Sequence, residues 1–155
     1  MQNHFERLVE SLSADYGAAV SRSEDGLDIT VEAGAFLLMF SYLAEAEQML
    51  VSTCVAELPA EGRERLYFRL LNGQYFFRET AGATLAVDPE ERFVTLQLVR
   101  HLAGLTPENF PLLVEHFLQA ALLWRNRIEA DSETPSTCED RPADAAFDPL
   151  AMLSV

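Results

Sequence analysis

The sequence contains no lysine, so all 11 of its basic residues are arginines. Its 25 acidic residues outnumber them and give a formal net charge of −14 at pH 7. A protein that binds nucleic acid through the phosphates needs a basic face, and an anionic membrane surface repels a chain this acidic. The composition therefore argues against nucleic acid as a partner. Two explanations of the charge stay open: solubility, or the steering of a basic partner towards the protein.

Long apolar runs and cysteines are also scarce. No stretch approaches the roughly 18 consecutive apolar residues that a membrane-spanning helix requires, so membrane insertion is not expected. The first residues lack the apolar core of a secretory signal. Cys54 and Cys138 are the only cysteines and cannot form a disulfide framework. Together these observations predict a cytoplasmic protein.

Residues that usually carry catalysis or bind metals are few and scattered. His4, His101 and His116 lie on three different predicted elements, and no metal-ligand spacing joins them to each other or to a cysteine. No serine stands at a nucleophile elbow. The turn at residues 81–83 leads into a strand rather than a helix, so it lacks the amides of a phosphate-binding loop. We therefore predict no enzyme activity, no cofactor and no metal site.

Hydrophobic periodicity predicts one α+β domain over residues 1–130. An amphipathic helix begins near Asn3 and ends at Gly17, a second covers residues 61–79, and a third begins at Thr106-Pro107. Five strands are predicted at residues 27–32, 36–43, 48–58, 84–88 and 93–102. The resulting order is α-β-β-β-α-β-β-α, with the five strands in one antiparallel sheet.

The predicted central helix carries more large apolar residues than one buried face can use. Its run LYFRLLNGQYFF at residues 66–77 has apolar side chains all round. Such a surplus indicates a second surface that another molecule covers. This pattern is typical of a binding protein rather than a catalyst.

A motif in this region is similar to one found in a known family. Leu70-Leu71, followed by TAGATLAVD at residues 80–88, resembles the type III secretion chaperones of the CesT (Tir chaperone) family, class I type. The small size, the acidity, the order of elements and the segment Ala120-Ala121-x-x-Trp124 of the last helix agree with it. The resemblance covers roughly residues 3–130.

The resemblance implies a homodimer that binds the extended N-terminal region of a secreted effector and keeps it soluble and export-competent, without nucleotide or metal. Carried onto this chain, the dimer interface comprises Tyr67, Leu70, Leu71, Tyr75, Leu85 and Val87. The effector grooves are expected to be lined by Phe5, Val9, Ile29, Val31, Leu38 and Phe40. Each of these side chains could instead belong to the core. Pairing with a different chaperone subunit also stays open.

A small-molecule-binding or regulatory α+β domain, unrelated to secretion, is the alternative from another functional class. It would use the same sheet around a closed pocket.

Residues 131–155 form a separate acidic segment with six acids, one arginine and three prolines, and are predicted to be a disordered tail. Near its end stand the apolar residues Leu150, Met152 and Leu153. The tail either occupies a groove of the same or a neighbouring dimer when no effector is bound, or only aids solubility.

Overall fold

The computed structural model describes residues 1–16 and 19–133. The three α-helices are α1 (Gln2–Tyr16), α2 (Arg63–Gln74) and α3 (Phe110–Glu133). The strands are β1 (Val20–Arg22), β2 (Asp28–Ala33), β3 (Phe36–Leu43), β4 (Gln48–Glu57), β5 (Thr84–Val87) and β6 (Phe93–His101). The α+β class, the three helices and the antiparallel pairing agree with the prediction. The predicted helix stop at Gly17 and the predicted tail beyond residue 133 lie outside the described residues.

All six strands form one antiparallel sheet in the order β1-β2-β3-β4-β6-β5. The predicted five-stranded sheet was wrong because it omitted β1. This strand has three residues, all of them exposed, so no alternation of buried and exposed side chains reveals it in the sequence. It exists because it pairs with β2, where Val20 lies opposite Val31.

Helices α1 and α3 cover one face of the sheet. Helix α1 contacts β2 and β3, and α3 contacts β4. Alternate side chains of these strands point into the layer between helices and sheet, among them Val51 and Val55 of β4. Each fully buried large apolar side chain contributes about 1.5–3 kcal/mol, so this layer dominates the stability of the fold. No described helix covers the opposite face, which we call the outer face.

Helix α2 packs against α3 through a contact that only glycine permits. A Cβ atom at Gly73 would lie 2.0 Å from Cζ2 of Trp124. The indole Nε1 of Trp124 donates a hydrogen bond to the backbone oxygen of Glu79 (2.9 Å), and the Glu79 side chain forms an ion pair with Arg127. Arg127 also lies over the Trp124 ring, 5.2 Å from its centroid. These contacts fix both α2 and the segment that follows it.

Both ends of α3 differ in detail from the prediction. The predicted cap at Thr106 is present: its backbone N–H donates to Oδ1 of Asn109 (2.8 Å), and its Oγ1 accepts from the Asn109 N–H (3.3 Å). Regular helix begins only at Phe110, whose N–H donates to the Thr106 oxygen. At the other end the helix continues to Glu133, and Asp131 forms an ion pair with Arg69 of α2.

Candidate protein-interaction surface

Helix α2 has one buried stripe and one exposed apolar stripe. Leu66, Leu70 and Gly73 follow each other at helical spacing and are buried. Phe68, Leu71 and Tyr75 have the same spacing on the other side and are exposed. Phe76 and Phe77, directly after the helix, are exposed as well. We call these five exposed side chains the α2 patch (Phe68, Leu71, Tyr75, Phe76 and Phe77); they are 51–73% exposed.

The shape of the α2 patch depends on a break in the predicted helix. The sequence predicted a helix over residues 61–79, but the α-helix ends at Gln74 and a 3-10 turn spans Tyr75–Phe77. Phe76 and Phe77 both have φ of 53°, in the left-handed region that costs about 1–3 kcal/mol for a non-glycine residue. The Tyr75 and Phe76 rings meet edge to face with centroids 4.4 Å apart. The turn therefore presents three consecutive aromatic rings to the outside.

The structure brings together only part of the predicted dimer interface. Leu71 and Tyr75 belong to the α2 patch. Tyr67, Leu85 and Val87 are half-buried beside it and pack against the core. Leu70 is only 6% exposed, so in the protomer it is a core residue, and its place in the dimer interface stays a prediction.

The predicted dimer interface did not include three exposed residues of the α2 patch: Phe68, Phe76 and Phe77. Phe68 was recoverable, because it stands three residues before Leu71 and therefore on the same helical face. Phe76 and Phe77 could not be predicted in this way, because their exposure follows from the left-handed turn. No sequence pattern indicates that turn.

A glutamine side chain closes part of one edge of the sheet. The side-chain Nε2 of Gln74 donates to the backbone oxygen of Ala83 (3.1 Å), and its Oε1 accepts from the N–H of Leu85 (2.8 Å). These are the hydrogen bonds that a neighbouring strand would make to β5. Gln74 thus ties the end of α2, and the α2 patch with it, to the edge strand.

All six predicted effector-binding residues lie in the protomer core. The exposed fraction of each side chain is 0–1%: Phe5, Val9, Ile29, Val31, Leu38 and Phe40. Ile29 lies opposite Phe40 and Val31 opposite Leu38 in the β2–β3 pair, beneath α1. In the protomer these side chains therefore line no open groove, and their part in effector binding stays a prediction. The alternating pattern showed which residues share a face, but not which face helices cover.

The outer face carries apolar side chains of its own. Leu37 and Met39 on β3 and Val99 on β6 are 44–57% exposed. Leu50 of β4, which lies opposite Val99, is half-buried between them. We call these four residues the outer-face strip. It crosses the centre of the sheet and is a second apolar surface, separate from the α2 patch.

The titrating groups with altered pKa values have structural explanations. The backbone N–H of Phe93, followed by the N–H and the charge of Arg92, lowers the pKa of Asp88, whose carboxylate closes the β5–β6 hairpin. Burial raises the pKa of Cys54, which favours the thiol over the nucleophilic thiolate. A hydrogen bond from Thr106 lowers the pKa of Glu108 near the start of α3. None of these shifts produces an activated nucleophile or base.

Within residues 1–16 and 19–133 no group of three or more His, Cys, Asp or Glu side chains could hold a metal ion. None of the helices that the structure describes is long and apolar enough to cross a bilayer.

Solved structures of other proteins have a similar fold. One solved structure, the HopA1-SchA chaperone-effector complex, has a chain 14% identical to this one, with a TM-score of 0.62 over 81% of this chain and 95% of that chain. A chain of the heterodimeric ExoU-SpcU complex, from the type III secretion system of Pseudomonas aeruginosa, is also 14% identical, with a TM-score of 0.58 over 77% and 93%. YbjN from E. coli, a proposed transcription regulator, is 11% identical, with a TM-score of 0.63 over 81% and 92%.

At these identities the structural likeness shows a shared fold, which by itself does not assign a function. No curated protein sequence matches the chain. The sequence model of the Tir chaperone protein (CesT) family, however, matches residues 7–125, which is most of the chain and nearly all of the described fold. The resemblance noted from the sequence is thereby confirmed. The chain belongs to the Tir chaperone protein (CesT) family.

Proposed function

We propose that this protein is a cytoplasmic type III secretion chaperone that binds the extended N-terminal region of a secreted effector. The observation that carries the proposal is the family match over residues 7–125. Chains of similar fold occur in a chaperone-effector complex and in a heterodimeric complex of a type III secretion system, which supports a protein partner of this kind. The family match also favours the chaperone over a small-molecule-binding or regulatory domain.

The α2 patch supports a homodimer as the working form. Five large exposed apolar side chains close together on one helix and the turn after it are more than a lone soluble protomer usually leaves in water. In a twofold dimer the same patch on each copy would face its equivalent, so one patch satisfies both subunits. Half-buried Tyr67, Leu85 and Val87 would form the margin of this interface. A dimer would also place two client-binding surfaces in one particle, which raises the effective concentration for a long client.

The outer-face strip and the exposed β1 edge are the surfaces that we assign to the client. Ordering an extended segment costs about 1–2 kcal/mol per residue in backbone entropy. Burying one large apolar client side chain returns about 1.5–3 kcal/mol. A client therefore needs an apolar anchor at about every second residue, or backbone hydrogen bonds from a free strand. The outer-face strip offers a surface for apolar anchors, and the free edge of β1 offers backbone hydrogen bonds.

A capture experiment with matched variants tests this function. The full chain is used to retain proteins from its native host, beside Met39→Asp on the outer-face strip and Leu122→Asp on the exposed side of α3 as control. We expect the wild type and the control to retain a secreted protein that Met39→Asp loses. We further expect a peptide from that protein's N-terminal region to bind alone and to stay soluble with the chain.

Retention of only non-secreted proteins, or of a folded domain rather than an N-terminal segment, would contradict the chaperone function. Equal retention by Met39→Asp would remove the outer-face strip from the client-binding surface while leaving the chaperone function intact.

A further inference from the structure

A cleft of about 380 Å³ lies between β6 and the first half of α3, apart from both the α2 patch and the outer-face strip. Its volume falls at the lower end of the roughly 300–1,000 Å³ usual for ligand pockets. Apolar walls come from Leu98, Leu105 and Leu112, and Ala81 also lines the cleft. Leu112 is 53% exposed, so one apolar wall of the cleft stands in contact with solvent.

The cleft also holds cationic and polar side chains. Arg100 reaches it from β6, and Asn109 and His116 reach it from α3. One guanidinium nitrogen of Arg100, Nη1, donates to the backbone oxygen of Val99 (2.9 Å), and a Cβ at Gly82 would lie 3.0 Å from the other, Nη2. Among residues 1–16 and 19–133, Arg100 forms no ion pair. Most of its five N–H donors are therefore available to an anionic partner.

An apolar cleft beside an unpaired arginine suits an occupant with a large apolar side chain next to a carboxylate. Beyond residue 133 this sequence contains such a segment: Phe147 is the only aromatic residue there, and Asp144 and Asp148 flank it. The whole chain has a net charge of −14, so most of its surface repels an acidic segment. This cleft instead pairs an apolar surface with a positive charge. We propose that the segment around Phe147 docks in the α3–β6 cleft of its own chain, with Asp148 on Arg100.

The covalent connection allows this contact. Leu112 lies 21 residues before Glu133 on α3, which corresponds to about 32 Å at 1.5 Å per residue. The 13 residues from 134 to 146 span up to about 43 Å when extended, at about 3.3 Å per residue. Phe147 can therefore reach the cleft when the chain runs back along α3. Tethering raises the effective concentration of the segment to the millimolar range, so a weak contact suffices.

The docked segment would cover Leu112 until a competing ligand displaces it. This proposal does not depend on the chaperone function, because it concerns contacts within one chain. A negative capture experiment therefore does not contradict the docking proposal. A negative docking experiment does not contradict the chaperone function.

Methyl NMR on the full-length chain tests the contact. We expect nuclear Overhauser effects between the Phe147 ring and the methyl groups of Leu112, with methyl shifts at Leu112 and Leu98 that are independent of protein concentration. Phe147→Ala should abolish them, whereas the control Ala143→Ser, in the same segment, should keep them. Arg100→Glu should reduce the docked fraction relative to the free one by about tenfold or more, since a charge-assisted hydrogen bond is lost. Asp148→Arg in the Arg100→Glu background should restore it.

Three outcomes would overturn the proposal. Identical Leu112 and Leu98 methyl shifts in the wild type and in Phe147→Ala would mean that the cleft is empty. Shifts that grow with protein concentration would assign the cleft to a second copy of the chain. Shifts that arise only when an effector peptide is added would assign it to the client.

Discussion

Gly73 determines how closely two helices approach each other. Any larger residue at this position would place its Cβ inside the Trp124 ring, which is itself fully buried. We expect Gly73→Ala to lower the free energy of unfolding by about 1–3 kcal/mol, because overpacking forces α2 away from α3. Urea denaturation measures the change.

Gly104→Ala is the matched control, because nothing lies within 4 Å of a Cβ at Gly104. Gly104→Ala should leave the stability unchanged or raise it slightly, because alanine lowers the backbone entropy of the unfolded chain. An equal loss in the two variants would mean that the loss at Gly73 does not come from the contact with Trp124.

Asp88 makes the stability of the protein depend on pH in the acidic range. Its pKa is lowered in the folded state, so its carboxylate stabilises the fold above the ordinary aspartate pKa of about 3.9, and that contribution disappears as the pH falls through the lower folded value. Asp88→Asn should therefore destabilise the protein at neutral pH and flatten its loss of stability in acid.

Thermal unfolding at a series of pH values between neutral and strongly acidic measures the effect of Asp88→Asn. Glu61→Gln, at an exposed position before α2, removes one negative charge elsewhere on the surface and is the control. A parallel downward shift of the Asp88→Asn curve at every pH would contradict the titration argument.

At the scale of elements, the edge strand β5 depends on one side chain of α2. Gln74→Ala would leave the Ala83 oxygen and the Leu85 N–H without their hydrogen-bond partner. We expect a loss of about 1–3 kcal/mol where these groups stay shielded from water, and faster hydrogen exchange at the Leu85 amide.

Gln74→Glu separates the two hydrogen bonds, because a carboxylate can still accept from Leu85 but cannot donate to Ala83. Protection of Leu85 should survive in this variant. If Gln74→Ala leaves the exchange of Leu85 unchanged, the side chain does not hold the edge.

The elements differ in how far their own residues determine them. The alternation in residues 27–32 and the pair Thr106-Pro107 are local signals, and β2 and the start of α3 were predicted from them. Strand β1 depends on pairing with Val31 and its neighbours, which is a tertiary contact. The end of α2 at Gln74 depends on hydrogen bonds to residues 83 and 85, so propensity alone extended the helix too far.

For the whole molecule, the sequence located exposed apolar surface more reliably than the individual side chains that form it. The apolar surplus of residues 66–77 correctly indicated exposed apolar surface on α2. Leu70 could be assigned to the core and Phe68 to the α2 patch only once the orientation of the helix relative to Trp124 was known. The six residues predicted to line the effector groove are core residues for a similar reason. No local sequence pattern shows which side of the sheet α1 covers.

The proposed dimer predicts how a single charge changes assembly. Leu71 is the most exposed residue of the α2 patch, so Leu71→Arg should leave the protomer fold intact and place two buried charges across a twofold interface. We expect the wild type to be a dimer and Leu71→Arg a monomer at tens of micromolar. Light scattering coupled to size-exclusion chromatography gives the two masses.

Leu122→Arg, on an exposed position of α3, should remain dimeric and controls for the added charge. A monomeric wild-type protein would rule out the proposed assembly. A dimeric Leu71→Arg would move the interface away from the α2 patch.

The contacts of Glu79 with Trp124 and Arg127 also bear on the order of events during synthesis. The turn that presents the three aromatic rings precedes Trp124 and Arg127 by almost 50 residues, so both residues are translated well after it. A nascent chain that has emerged only as far as β6 carries the aromatic rings without the tryptophan and arginine that set their positions. In the proposed homodimer, the two subunits should therefore pair through the α2 patch only after translation has passed Arg127.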